Sequence, residues 1–379
     1  MKVESAIWII IIIGLLAISS TGLFAGGVAV DYKMVETGID WLELIRSGAG
    51  DDEVKRFFME KVAPTGGCQS IVHHWARFKK WDEELLYEFI LEGLGRIPAT
   101  GKLKNDDGTP TMLGRRRELW QRALNDIDGL KQKLAALKQS TFVKNAVRLA
   151  TDNLPAEAKV GADFYFVLFG HSTAYSVGEE NGYDFLQLPR TKEGTLDIHQ
   201  LTQTFAHELH HSGFSYLAKK NPGASKHEDR IMLAGILAGE GMPTYFVDQR
   251  GKRLHELENH HNSLYRMVAS DWKKHSARIP QLLKKAQQDI TLNLEGKLDQ
   301  DAIMKDWMGG VTGPAYVLGS HIMQTIHQHL GKKAAIEVAT DYRTILQVYN
   351  KAVDKGRKQS PTLFKFDPKL AQKLSNFKG

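Results

Sequence analysis

The run HELHH, His207 to His211, constrains the local fold of this chain more than any other stretch. His207 and His211 stand four apart, so on an α-helix both imidazoles project from one face about one turn apart. Two nitrogen ligands at that separation can share one Zn²⁺, and Glu208 beside the first can reach a water on the ion. The pattern predicts a helix over Leu201 to Phe214. Asp197 is its expected N-cap, Leu201, Phe205 and Leu209 its apolar stripe, and Gly213 its C-terminal stop.

A third ligand must come from elsewhere in the chain. After a polar loop from Lys219 to Ser225, a second apolar helix is expected over Glu228 to Ala238, ending in GEGMPTYF. Glu240, set between glycines there, would complete a His₂Glu set and leave the fourth zinc position to water. Glu228 is the competing carboxylate.

HELHH followed by a helix carrying Glu-Gly resembles the gluzincin metallopeptidases, the class of thermolysin and aminopeptidase N. More narrowly, it is similar to a bacterial family regarded as zinc-dependent peptidases with an amino-terminal signal segment. The resemblance spans about Phe164 to Leu330. It implies one Zn²⁺ held by His207, His211 and Glu240, with Glu208 as the catalytic base. It also implies a downstream Tyr or His against the oxyanion. Tyr316, in GPAYVLGSHIM, looks like that residue, with His321 the alternative and core packing the plainer account of Tyr316. The fold implied is α+β, mainly α: a thermolysin-like core with a small antiparallel or mixed sheet before the motif helix and helical parts on either side.

The expected chemistry is hydrolysis of peptide bonds. Zinc acidifies its water and polarises the substrate carbonyl, while Glu208 takes the proton and passes it to the leaving amine. One rival reading is a zinc amidase acting on a non-protein amide such as a cell-wall cross-link. Another, from a different class, is a membrane-tethered binding module that keeps the motif without activity.

At 379 residues and 42% hydrophobic content the chain can bury a sizeable core. No charge appears from Ser5 to Val30, and Ile7 to Ile18 is densely apolar. Residues 1–30 are therefore expected to be a signal peptide or a membrane anchor, which puts the body outside the cytoplasm: secreted, periplasmic or anchored facing outward. Membrane contact is expected only through that segment. A single cysteine, Cys68, excludes an intramolecular disulfide and reads as a buried, inert thiol. The net charge of +6 sits in Lys351 to Gly379, where eight Lys/Arg face two Asp. That is a basic, solvated tail rather than a groove. With no nucleic-acid or phosphate-binding motif, neither nucleic acid nor nucleotide is an expected partner; the expected partner is a peptide or protein substrate.

Residues 31–160 read as a helical amino-terminal region. It includes one long stripe from Arg115 to Lys138, with Arg115 to Arg117 as surface charge and His73-His74 as helix packing. The zinc peptidase region, 161–379, divides into 161–250, with the sheet and metal-site helices, and 251–379, a helical lobe. Phe164 to Phe169, Thr173 to Val177 and Tyr183 to Leu188 read as strands, with Glu179-Glu180-Asn181-Gly182 as a hairpin loop. An exposed edge strand there could pair with an extended substrate. His171 reads as a loop histidine, and His327 and His329 as surface. Further helices are expected over Leu254 to Ser270, over Ile279 to Ile290 and, with Pro314 at its first position, up to Leu330.

Overall fold

Most of the chain is helical, with one small sheet, in a computed structural model that describes residues 28–76, 80–106, 110–171, 173–177, 180–221, 228–261, 263–357 and 362–378. The apolar run Ile7 to Ile18, expected as a signal or anchor, lies outside the described residues. Among the described residues no helix is long and apolar enough to cross a membrane. The order is β1 (Ala29–Asp31), α1 (Lys33–Arg46), α2 (Asp51–Phe57), α3 (Gly66–Ala76), α4 (Glu83–Leu94), α5 (Met112–Asn125), α6 (Ile127–Gln139) and α7 (Phe142–Thr151). Strands β2 (Asp163–Val167), β3 (Ala174–Val177) and β4 (Glu180–Asp184) follow. Then come α8 (Ile198–Lys220), α9 (Met232–Pro243), α10 (Leu254–Glu258), α11 (Ser263–Ser276), α12 (Ile279–Leu294), α13 (Gln300–Ile303), α14 (Pro314–Leu330), α15 (Lys332–Glu337), α16 (Ile345–Gly356) and α17 (Pro368–Ser375).

The chain forms two compact units, Lys144–Val160 with Thr202–Gly379, and the residues up to Val143 with Gly161–Leu201. The chain passes from one unit to the other after Val143, after Val160 and after Leu201.

The second unit holds the sheet, in the order β1-β2-β4-β3. β1 and β4 run parallel to β2, and β3 runs antiparallel to β4, so the sheet is mixed. Phe164 and Phe166 of β2 are buried, and the Phe166 ring stacks on Tyr32 with centroids 5.1 Å apart. Asn181 and Gly182 lie inside β4 rather than in a hairpin loop. The correction has a packing cause: Gly182 lies against the Tyr175 ring, where a Cβ would collide. The single stripe expected from Arg115 to Lys138 is two helices. Asp126 breaks it, its carboxylate accepting from the Gly129 amide at 3.0 Å to start α6. Arg116 is not surface charge either, but is buried against Glu92. His74 packs on Tyr175 with centroids 4.6 Å apart, and the buried Cys68 thiol is pushed up to about 12 by its burial.

In the first unit the basic tail is folded back. Phe366 and Leu374 are buried, Asn350 accepts from the Phe366 amide at 2.9 Å, and Arg343 donates to the Phe377 carbonyl at 2.6 Å. The alternation of Leu370, Ala371 and Leu374 on one face with lysines on the other makes α17 amphipathic, and burial of that face holds the segment down. His327 is likewise engaged, sharing a 3.0 Å hydrogen bond with the Tyr245 hydroxyl.

Candidate metal centre

The motif helix α8 starts as expected, with the Asp197 carboxylate accepting from the Gln200 amide at 2.9 Å. It does not stop at Gly213 but runs on to Lys220. Gly213 serves packing instead: a Cβ there would collide with Leu154 and crowd Val160 at 3.1 Å. The same 144–160 segment takes up His210, whose Nε2 donates to the Asn153 carbonyl at 3.1 Å. The middle histidine of HELHH is thereby turned away from His207 and His211, as 100° per residue on a helix requires.

The second helix, α9, starts at Met232, later than expected, and includes Glu240 inside it rather than after it. The side chain of Glu228 lies outside the described residues. Every residue of α9 from Leu233 to Pro243 is buried, so the helix carries no polar stripe and Glu240 is its one charged group. Tyr342 ties α9 to α8, stacking on Phe214 with centroids 5.8 Å apart and lying 3.4 Å from where a Gly235 Cβ would be. On the other side α9 crosses α14 at Gly241 and Gly319, backbone against backbone, where any Cβ would collide. That crossing sets Tyr316, one turn before Gly319, beside Glu240.

Pro243 ends the regular part of α9, and the chain continues through a wide π turn, Thr244–Asp248. Proline removes an amide donor and crowds the carbonyl four residues back, which favours such a widening. At 3.6 residues per turn, eight residues overshoot two turns by about 80°. One wider turn absorbs most of that excess, and so Asp248 comes round to the face of Glu240. Gln249 then adopts φ 51°, the left-handed region, and Arg250 folds back on Asp248.

These elements bring His207, Glu208, His211 and Glu240 together, all buried. The Glu240 Oε2 atom lies 3.3 Å from His207 Nε2 and 3.6 Å from His211 Nε2. One ligand atom from each of the three lies within 4.8 Å of the others. His207 Nδ1 donates to Asp248 Oδ2 at 2.9 Å, which orients the ring and aims Nε2 at Glu240. The same Oδ2 accepts from Arg250 Nε at 2.8 Å.

The donor set fits a tetrahedral cation. Zinc bonds of ~2.0–2.1 Å in a tetrahedron require neighbouring ligand atoms roughly 3.3–3.4 Å apart, close to the two separations from Glu240 to the imidazoles. His211 Nε2 and Glu240 Oε1 are buried without a hydrogen-bond partner among the described residues. Such orphans cost about 1–3 kcal/mol each, which a shared ion would relieve. Charge points the same way. Glu240 and Asp248 set two buried carboxylates against the two imidazoles, with one guanidinium on Asp248. Burial alone would raise the carboxyls of Glu240 and Asp248; the neighbouring His211 and His207 outweigh it for Glu240, and His207 and Arg250 for Asp248, so both lie below the usual carboxylate range.

Tyr316 is buried in the same site. Burial, followed by the charge of Glu240, holds its hydroxyl well above the ordinary tyrosine value, so it stays protonated. The Arg250 guanidinium carbon lies 5.4 Å from the centre of its ring. His321, the alternative, is shifted downward by burial alone and faces none of these charges.

A family described as putative zinc dependent peptidase (DUF5700) matches residues 78–358. The chain belongs to that family. No curated protein and no solved structure matches it. In this family member, Asp248 and Arg250 are the site residues that sequence reasoning missed. Their one sequence signal is Pro243, which announces a disturbed turn without saying which later side chains it redirects.

Proposed function

We propose that the chain is a gluzincin-type zinc peptidase that hydrolyses peptide bonds with one Zn²⁺, His207, His211 and Glu240 being its ligands. The observation that carries this reading is the convergence of three ligand atoms within 4.8 Å, Glu240 lying at zinc-like separations from both imidazoles and two of the residues holding buried atoms with no hydrogen-bond partner. The two-helix ligand arrangement is the thermolysin-like feature.

Bound there, zinc supplies a Lewis acid that polarises the scissile carbonyl and acidifies water. Glu208, next to a ligand and buried, is the base: it takes the proton of the attacking water and delivers it to the departing amine. Tyr316, kept protonated by its surroundings, donates to the carbonyl oxygen as negative charge builds on it, an interaction typically worth ~3 kcal/mol. Asp248 orients the His207 ring through Nδ1, and Arg250 holds Asp248 in place.

Glu208→Gln tests the assignment. Turnover of a peptide library is expected to fall by about 10³-fold with zinc content unchanged. Parent-like turnover in that variant would remove Glu208 as the base. Activity on peptidoglycan fragments with none on peptides would move the substrate class to a non-protein amide.

A further inference from the structure

Arg250 has more binding capacity than its partners use. Its Nε donates to one oxygen of Asp248, and that oxygen is already shared with His207 Nδ1. The two terminal amino groups of the guanidinium have no hydrogen-bond partner among the described residues, although the side chain is only 22% exposed. A planar pair of donors left open in a largely desolvated site matches a planar two-oxygen anion.

The backbone is committed to this placement. Gln249, which aims Arg250 back at the site, is the one residue other than glycine with positive φ among the described residues. A left-handed conformation in a non-glycine residue costs of order 1 kcal/mol and persists where surrounding structure demands it.

Charge permits an anion here. Arg250 and a divalent ion would set three positive charges against the Glu240 and Asp248 carboxylates, which leaves the guanidinium an unshared cationic edge. Reach permits it too. A hydrogen bond of 2.9 Å and an ion pair of 2.8 Å, both to Asp248 Oδ2, separate the ligand imidazole from the guanidinium. About two extended residues, at ~3.4 Å each, cover such a span.

We propose that Arg250 is the specificity residue that receives the terminal carboxylate of the substrate, so that hydrolysis trims short pieces from the carboxyl end of peptides. The proposal rests on the zinc-peptidase reading above and narrows its substrate class. The scissile C–N bond takes up one water and releases a short fragment that carries the recognised carboxylate. The Tyr316 ring lies beside the guanidinium, its centre 5.4 Å from the guanidinium carbon.

The test compares one short peptide as its free acid and as its carboxamide. Dissociation constants are measured by calorimetry on zinc-loaded Glu208→Gln protein, and turnover on the parent. The acid is expected to bind about 100-fold more tightly than the amide. Adding Arg250→Gln should bring the ratio close to one. Because the ratio is taken within one protein, a general loss of stability cancels. Should Arg250→Gln fail to fold, Arg250→Lys, which keeps the charge and loses the fork, should lower the ratio to about tenfold.

Equal binding of acid and amide overturns the proposal, as does failure of both peptides to bind. A ratio that survives Arg250→Gln also overturns it, since the carboxylate would then be held by the metal. Equal turnover of both forms by the parent sinks carboxylate recognition and leaves the peptidase reading standing. Acid-selective binding without turnover of any peptide sinks hydrolysis and leaves the carboxylate site.

Discussion

Glu92 and Glu240 are both buried acids facing nitrogen cations or imidazoles, one in the unit with the sheet and the other in the unit with the motif helix. Their surroundings differ in completeness. Glu92 Oε1 accepts from the Thr100 amide and hydroxyl, both at 2.6 Å, and Oε2 accepts from Arg116, whose guanidinium lies 3.5 Å over the Phe89 ring. Glu240 leaves Oε1 without a partner and faces a His211 nitrogen in the same condition. Both oxygens of Glu92 find partners among its own neighbours, although Arg116 Nε beside it has none. Glu240 Oε1 and His211 Nε2 lack one and belong to side chains that face each other, an arrangement that one shared ion would satisfy.

The difference can be broken or sharpened by substitution. The largest stability effect is expected at Glu92. Glu92→Gln leaves Arg116 buried and uncompensated, and should cost about 3–5 kcal/mol in urea denaturation with zinc content unaltered. A loss below about 1 kcal/mol would place Glu92 in the same incomplete class as Glu240.

A pH effect of intermediate size belongs to the same unit. Burial, then the charge of Arg116, lowers His171 from 6.5 to about 4. Its folded pKa is below its unfolded one, so the unfolded chain binds the extra proton. The contribution of a neutral His171 is complete above pH 6.5 and is lost as pH falls toward 4. Allowing for residual exposure, the loss should approach about 2 kcal/mol. His171→Phe should flatten that part of the stability profile, and an unchanged profile would show that the ring is solvated.

The smallest effect separates ligand from support. Asp248→Asn keeps the His207, His211 and Glu240 cluster but weakens the orientation of His207, and on the proposed reading zinc affinity should drop about 10–100-fold in a chelator competition. No change would mean that the Asp248–His207 hydrogen bond is incidental to the site.

Much of the site was readable before the fold was known, because it depends on a local repeat. His207 and His211 share a face on any α-helix, and Glu240 lies in an apolar segment too hydrophobic to be anything but buried. Tyr316 was legible only as a candidate, because its place beside Glu240 depends on the Gly241–Gly319 crossing, a contact between residues 78 apart. Asp248 and Arg250 were not legible, since the π turn after Pro243 and the left-handed Gln249 decide where they point.

The fold misreadings share a cause. Gly213, Gly182 and the basic carboxyl-terminal stretch were read by local rules as a stop, a turn and a solvated tail. Distant partners overrule each of them: Leu154, Tyr175, and the Asn350 and Arg343 side chains. The mixed sheet, the mainly helical content and the first-turn Pro314 followed local chemistry and came out as expected.

Zinc content per chain tests the account most directly, measured by elemental analysis after reconstitution and dialysis, for the parent protein beside His207→Ala and Glu240→Ala. One ion per chain in the parent and close to none in either variant is the predicted result. A parent that holds no zinc, or variants that keep a full equivalent, would contradict it.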